Sequence, residues 1–183
     1  MLSFNCIGGL SNTFDVPKTA PWKVNDKITT RDTFLKFATF NGEGFVGGLV
    51  SHDQLSMSLG YNIFYSGEPA NLTQSGLAQL PVEDVVLRVG WNWIGHAPLH
   101  SYGIDSITAV GAGQFNADDQ IKTRVGSVLK YTTYTGANWE GAKPQLTPGI
   151  GYEVRVSQAA TFRYGALGAT VGRRMLAKVG SQE

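Results

Sequence analysis

Apolar and charged side chains alternate along Tyr152-Glu153-Val154-Arg155-Val156, the pattern of a strand with one face buried and the other in water. Val128 to Tyr134 is rich in β-branched and aromatic residues and predicts a second strand. Val85-Val86-Leu87-Arg88-Val89 runs into Trp91-Asn92-Trp93-Ile94, where alternation puts both Trp side chains on one face. Turn chemistry separates these runs at Asn41-Gly42, Ser66-Gly67-Glu68-Pro69, Thr135-Gly136-Ala137-Asn138 and Thr147-Pro148-Gly149. Short strands with turns roughly every 8–12 residues predict antiparallel sandwiches or barrels.

The pattern occurs twice. Asn25-Asp26-Lys27-Ile28-Thr29-Thr30-Arg31 returns as Asp118-Asp119-Gln120-Ile121-Lys122-Thr123-Arg124. Phe4-Asn5-Cys6-Ile7-Gly8 returns as Trp91-Asn92-Trp93-Ile94-Gly95, and Leu35 to Phe40 as Leu129 to Tyr134. Phe45-Val46-Gly47 matches Trp139-Glu140-Gly141, and Leu59-Gly60-Tyr61-Asn62-Ile63 matches Ile150-Gly151-Tyr152-Glu153-Val154. The expected fold is all-β: two tandem antiparallel sandwich or barrel-like repeats related by a pseudo-two-fold axis, over 1–80 and 85–166. A short tail, 167–183, follows. The linker between the copies lacks a Gly/Ser tract, so the halves should pack together, and a sheet continuous across them would hide edge strands. In the tail, Leu167, Val171, Met175 and Val179 recur every fourth residue beside Arg173, Arg174 and Lys178, while Gly168, Gly172 and Gly180 oppose a helix. It reads as a frayed basic terminus or as a helix that docks on a neighbour. Asp26, Arg31, Trp91, Trp93, Asp119, Arg124, Trp139 and Tyr152 define the repeat. An Asp and an Arg five residues apart in both copies suit a structural role, pinning a turn by hydrogen bonds, with ligand binding as the alternative.

A duplication lets one half serve as the control for the other. Glu140, Lys143, Glu153 and Arg155 stand in the second copy where the first has Val46, Leu49, Asn62 and Phe64. The first copy thus carries apolar groups at positions expected to face outward. Fully burying one such side chain is worth about 1.5–3 kcal/mol, so several together read as an interface. Val46, Leu49 and Phe64 are the candidates, covered by another copy of the chain or by the sister half. Similar but non-identical ends can also make heterologous contacts that propagate.

Composition sharpens this picture. Only 16% of the 183 residues are charged and the net charge is +1, which disfavours nucleic acid as the main partner and favours association. Glycine (23 residues) is abundant, as are aromatics (9 Phe, 7 Tyr, 4 Trp). The single cysteine, Cys6, falls on an expected core strand and forms no internal disulfide. That fits a reducing compartment such as cytosol or chloroplast stroma, although many secreted bacterial β proteins also lack disulfides. There is no apolar run of about 18 residues to span a membrane, and Met1 leads almost directly into the first repeat, so no targeting segment is visible.

Chemistry is sparse. His96 and His100 have the spacing of a helical metal pair, but Pro98 lies between them and His52 is remote. No serine lies in a Gly-x-Ser-x-Gly elbow. Asp118-Asp119 is not followed by the ligand series of a calcium loop, and Gly42-Glu43-Gly44 and Gly111-Ala112-Gly113 lack the strand–helix setting of a phosphate loop. The expectation is a protein that is not an enzyme, with no metal and no cofactor.

Gly-Trp-Asn-Trp-Ile-Gly (90–95), Asp-Asp-Gln-Ile-Lys-Thr (118–123), Asn-Trp-Glu-Gly (138–141) and Leu-Thr-Pro-Gly-Ile-Gly-Tyr (146–152) together resemble a β module found, often in tandem, in algal and bacterial proteins. As a duplicated, aromatic- and glycine-rich chain, the sequence looks most like the pyrenoid shell proteins of diatoms. The resemblance spans about 1–166 and is clearest in the second copy. In the first copy Cys6 stands for the second Trp, and the Pro-Gly before Tyr61 is missing. The resemblance implies a non-enzymatic protein that self-assembles into a sheet or tube, encloses the Rubisco matrix in the chloroplast and supports CO2 concentration. It carries over no catalytic residues. The alternative is a secreted or cell-surface module that binds carbohydrate or another ligand through exposed Trp and Tyr.

Overall fold

The computed structural model describes residues 6–8, 22–31, 33–49, 59–68, 76–78, 84–96, 100–109, 114–125 and 128–163. The tail (167–183) and His52 lie outside them. In chain order the strands are β1 (Cys6–Gly8), β2 (Lys27–Arg31), β3 (Leu35–Phe40), β4 (Phe45–Val46), β5 (Tyr61–Phe64), β6 (Gly76–Ala78), β7 (Val85–Leu87) and β8 (Gly90–Gly95). Then come β9 (Tyr102–Gly103), β10 (Thr108–Ala109), β11 (Gln120–Val125), β12 (Val128–Tyr134), β13 (Trp139–Gly141), β14 (Gln145–Leu146), β15 (Gly151–Val156) and β16 (Ala160–Arg163). Apart from a 3-10 turn at Ile104–Ser106, the described residues hold no helix.

Two sheets dominate. One has the order β4-β3-β2-β5 and the other β13-β12-β11-β15-β8, all antiparallel. In each, three strands follow one another by hairpins and a later strand returns beside the first of them. The turns are those the sequence marks. Asn41 Oδ1 accepts from the N–H groups of Glu43 and Gly44. Thr147-Pro148-Gly149 closes with Ile150 N–H on Thr147 O, and Gly149 takes a φ of 80°, as the third position of a type II turn requires.

The pleat sorts the sides. Ile121, Tyr152, Val154 and Val156 point inward from the five-stranded sheet and meet Leu87 and Phe162 of the three-stranded sheet β10-β16-β7 in one core. A smaller core under the four-stranded sheet joins Ile28, Ala38, Leu49 and Tyr61, flanked by Trp22 and Phe45.

The two large sheets touch edge to edge. Leu59 forms an antiparallel bridge with Ile94, and Gly60 N–H donates to Trp93 O at 3.0 Å. β8 therefore has β15 along one side and the approach to β5 on the other. β1 does not pair as its sequence match β8 does: its partner is β6. The edge beside Leu59 and Gly60 is met by β8 instead.

Candidate functional site

Asp26 and Asp119 are buried, each just before the first strand of its hairpin series, β2 and β11. Asp26 Oδ2 accepts from Lys23 N–H at 2.8 Å, and its Oδ1 accepts from Ser66 N–H at 2.9 Å and Ser66 Oγ–H at 2.7 Å. Asp119 Oδ2 accepts from Asn116 N–H at 2.8 Å, and its Oδ1 accepts from Ser157 N–H at 2.8 Å and Ser157 Oγ–H at 2.9 Å. Both carboxylates thus tie a preceding turn to the loop after the returning strand. The preceding residues, Asn25 and Asp118, have φ of 77° and 71°, a region that short polar side chains tolerate best. For Asp26, burial pushes the carboxyl pKa up, but the hydrogen bonds from Lys23 and Ser66 and the charge of Lys23 outweigh it and hold it below its ordinary value.

The Asp–Arg pairing expected from the sequence is corrected here in its partner. The carboxylates bind Ser66 and Ser157, while Arg31 and Arg124 lie exposed at the far ends of β2 and β11. The serines were legible only as a shared offset, five residues after Tyr61 and Tyr152. Thr30 and Thr123 add a second paired contact, donating to Gly60 O at 2.7 Å and Gly151 O at 2.9 Å. The aromatics do likewise. Trp22 stacks edge-on against Phe45 at 5.1 Å, and Phe115 against the buried Trp139 at 5.0 Å.

Tyr152 is fully buried, donating to Gln145 O at 2.8 Å and accepting from Thr147 N–H at 2.7 Å, so it braces the Pro-Gly turn. His96 is buried, and its Nε2–H donates to His100 O at 2.7 Å. Burial pulls its pKa below the ordinary value, against the pull of that carbonyl. No group of three or more His, Cys, Asp or Glu with metal-binding geometry occurs among the described residues, and no helix among them is long and apolar enough to cross a membrane.

The outer faces differ most. Pairing across the four-stranded sheet puts Val46, Thr39, Lys27 and Phe64 in one row, Phe37, Thr29 and Asn62 in the next, and Leu35 with Arg31 in a third. Phe64 is 64% exposed, Leu35 56%, Val46 50% and Phe37 47%, and Phe34 in the adjoining turn is 72% exposed. Neither Val46 nor Phe64 is covered by the sister half. Leu49 departs from the expectation: it is 4% exposed and packs in the smaller core, not outward. Leu49 N–H donates to Phe37 O as Ala142 N–H donates to Tyr131 O, so Leu49 matches Ala142 in backbone position and not Lys143, with Gly47-Gly48 before it where Gly141 alone precedes Ala142.

The same rows of the five-stranded sheet hold Glu140, Thr133, Gln120, Arg155 and Trp91, then Tyr131, Lys122, Glu153 and Trp93. Lys122 pairs with Glu153 at 2.8 Å and lies over the Trp91 ring at 4.1 Å. Leu129 and Tyr131, at the β12 end of this face, are exposed, and its charged side chains come from β11, β13 and β15. Compared with protein-family models, curated proteins and solved structures, the chain matches none.

Proposed function

We propose that this chain is a structural protein, not an enzyme, that assembles with copies of itself into an extended sheet. The paired hydrogen bonds of Asp26 and Asp119, and the common strand order around them, support an ancestral two-sheet sandwich unit that was duplicated. The observation that carries the reading is the exposed apolar face of the four-stranded sheet. Phe34, Leu35, Phe37, Val46 and Phe64 present roughly 500 Å² of apolar side chain, at the upper end of what monomers expose. That suffices for the apolar centre of an interface of about 800 Å² per partner.

The occupant is a second copy, through the outer face of its five-stranded sheet. Lys27 and Arg31 on the first face, and Glu140 on the second, make no ion pair among the described residues, so one of these cations can meet Glu140, while Arg155 in the same row as Glu140 limits the complementarity to that contact. Docking unlike faces is head-to-tail and propagates openly unless its rotation closes a ring. Combined with the motif resemblance, this makes the chain a candidate shell component around the Rubisco matrix of a chloroplast pyrenoid. Negative-stain microscopy and sedimentation of the full chain, with and without Rubisco, test the proposal. Sheets or tubes that shrink in high salt are expected, and particles that co-sediment with Rubisco would support the shell role. A monomer at the highest attainable concentration would overturn self-assembly.

A further inference from the structure

Asn41 is the one asparagine of the sequence that is followed by glycine. It opens the short loop between β3 and β4, which Asn41 N–H closes by donating to Gly44 O at 3.0 Å. Asn41, Gly42 and Glu43 are exposed. The Asn41 amide folds over the backbone that follows it: Oδ1 accepts from Glu43 N–H at 3.0 Å and from Gly44 N–H at 2.9 Å. Among the described residues, neither Asn41 Nδ2 nor Gly42 N–H makes a hydrogen bond. Gly42 has no Cβ to screen its nitrogen, and its φ of 106° suits glycine alone.

We propose that Asn41 is a spontaneous modification site, where deamidation and backbone isomerisation remodel the β3–β4 loop. Gly42 N gives up its proton to base, attacks Asn41 Cγ and closes a cyclic imide. The bond from Cγ to Nδ2 breaks, and that nitrogen takes a proton from solvent and leaves as ammonia. Water then opens the imide at either carbonyl, leaving an aspartate or its β-linked isomer. The two N–H groups on Oδ1 answer the negative charge that builds on that oxygen during attack, as an oxyanion hole does. A neutral amide becomes a carboxylate, which cancels the formal net charge of +1. The β-linked product also lengthens the main chain by a methylene within the loop. That disturbs the Phe40–Phe45 pair and the edge-on contact of Phe45 with Trp22 at 5.1 Å, and it displaces Val46. The matching loop of the second half is spared. There Thr135 Oγ1 accepts from Asn138 N–H at 3.1 Å, and a hydroxyl has no amide to lose. An effect on assembly rests on reading the four-stranded face as an interface, whereas the reaction itself does not.

The test is incubation of the folded full chain in mildly alkaline buffer, followed by peptide mass mapping and enzymatic methyl labelling of β-linked aspartate. Asn41 should convert ahead of every other asparagine, and faster as pH rises, with the methyl label on the loop peptide. Asn41→Thr, which copies the second-half loop, should keep the parent's circular dichroism and lose the label. An Asn41 amide that survives in the folded chain, where a free peptide of the same loop converts, would overturn the proposal. So would another asparagine reacting first, or label that persists on the loop peptide of Asn41→Thr. Sedimentation of the fully converted chain distinguishes the two readings: unchanged assemblies would remove Val46 from the interface and leave the modification site standing.

Discussion

Phe64→Glu separates interface from core more sharply than any other single change. Phe64 sits on the outer row of β5 opposite Lys27 and is 64% exposed in the single chain. Covering that remainder removes roughly 130 Å² of an aromatic of about 200 Å² from water. At about 25 cal/mol per Å² this is about 3 kcal/mol per contact, or a weakening of roughly 100- to 200-fold when it is lost. The buried carboxylate would add to the loss unless Lys27 met it. Within the monomer the same substitution should move stability by no more than about 0.5 kcal/mol, because an exposed site away from core and caps tolerates change. A cross-strand pair between the introduced carboxylate and Lys27 would return a few tenths of that. Sedimentation velocity should therefore show assemblies in the parent and small species in the variant, with superimposable β-type circular dichroism and melting. Variant assemblies as large as the parent's would remove Phe64 from the interface. A variant that unfolds would show the residue to be core and refute the outward assignment.

Two further outcomes follow from the repeated local geometry. Asp26→Asn should be destabilised at neutral pH, and its deficit relative to the parent should shrink as pH falls through the lowered Asp26 pKa, below the ordinary 3.8. The folded pKa is depressed, so the stabilisation is present above the unfolded value and lost in acid. A deficit that stays constant in chemical denaturation from neutral pH to about pH 2.5, well below the reference carboxyl value, would contradict this. Gly141→Ala should cost about 2–4 kcal/mol in denaturant melts, because φ is 114° and the new Cβ would lie 2.8 Å from Tyr131 O, whereas Gly149→Ala, with φ of 80° and open space, should cost about 1 kcal/mol; equal costs would refute the steric account.

Two signals made strands legible: alternation, enforced by a buried face, placed a strand at Tyr152–Val156, within one residue of Gly151–Val156, and β-branched and aromatic content marked Val128–Tyr134. The positive-φ turns at Asn41-Gly42 and Thr147-Pro148-Gly149 were legible from their turn residues, since glycine adopts that backbone without a steric cost. Long-range partners were not. Nothing in the Asp26 neighbourhood announces Ser66, 40 residues away, as its partner, and Arg31 is the nearer charged group in sequence. The face of Leu49 was misread because one inserted glycine changes which residue follows the bend. The pairing of β1 with β6 was hidden by sequence similarity to β8, since similarity does not record which edge each strand meets.

The outermost strands of the joined sheets, β4 and β13, are two and three residues long. Beside them Gly47 and Gly141 take φ values of 131° and 114°, which turn the backbone away from a straight ladder. Such blunt rims offer an incoming chain few N–H and C=O groups to zip onto. Strand addition at these two rims, a route to amyloid-like fibres, is thereby disfavoured. In the proposed assembly, an apolar centre between closed margins would let copies associate through side chains while their folded states stay separate.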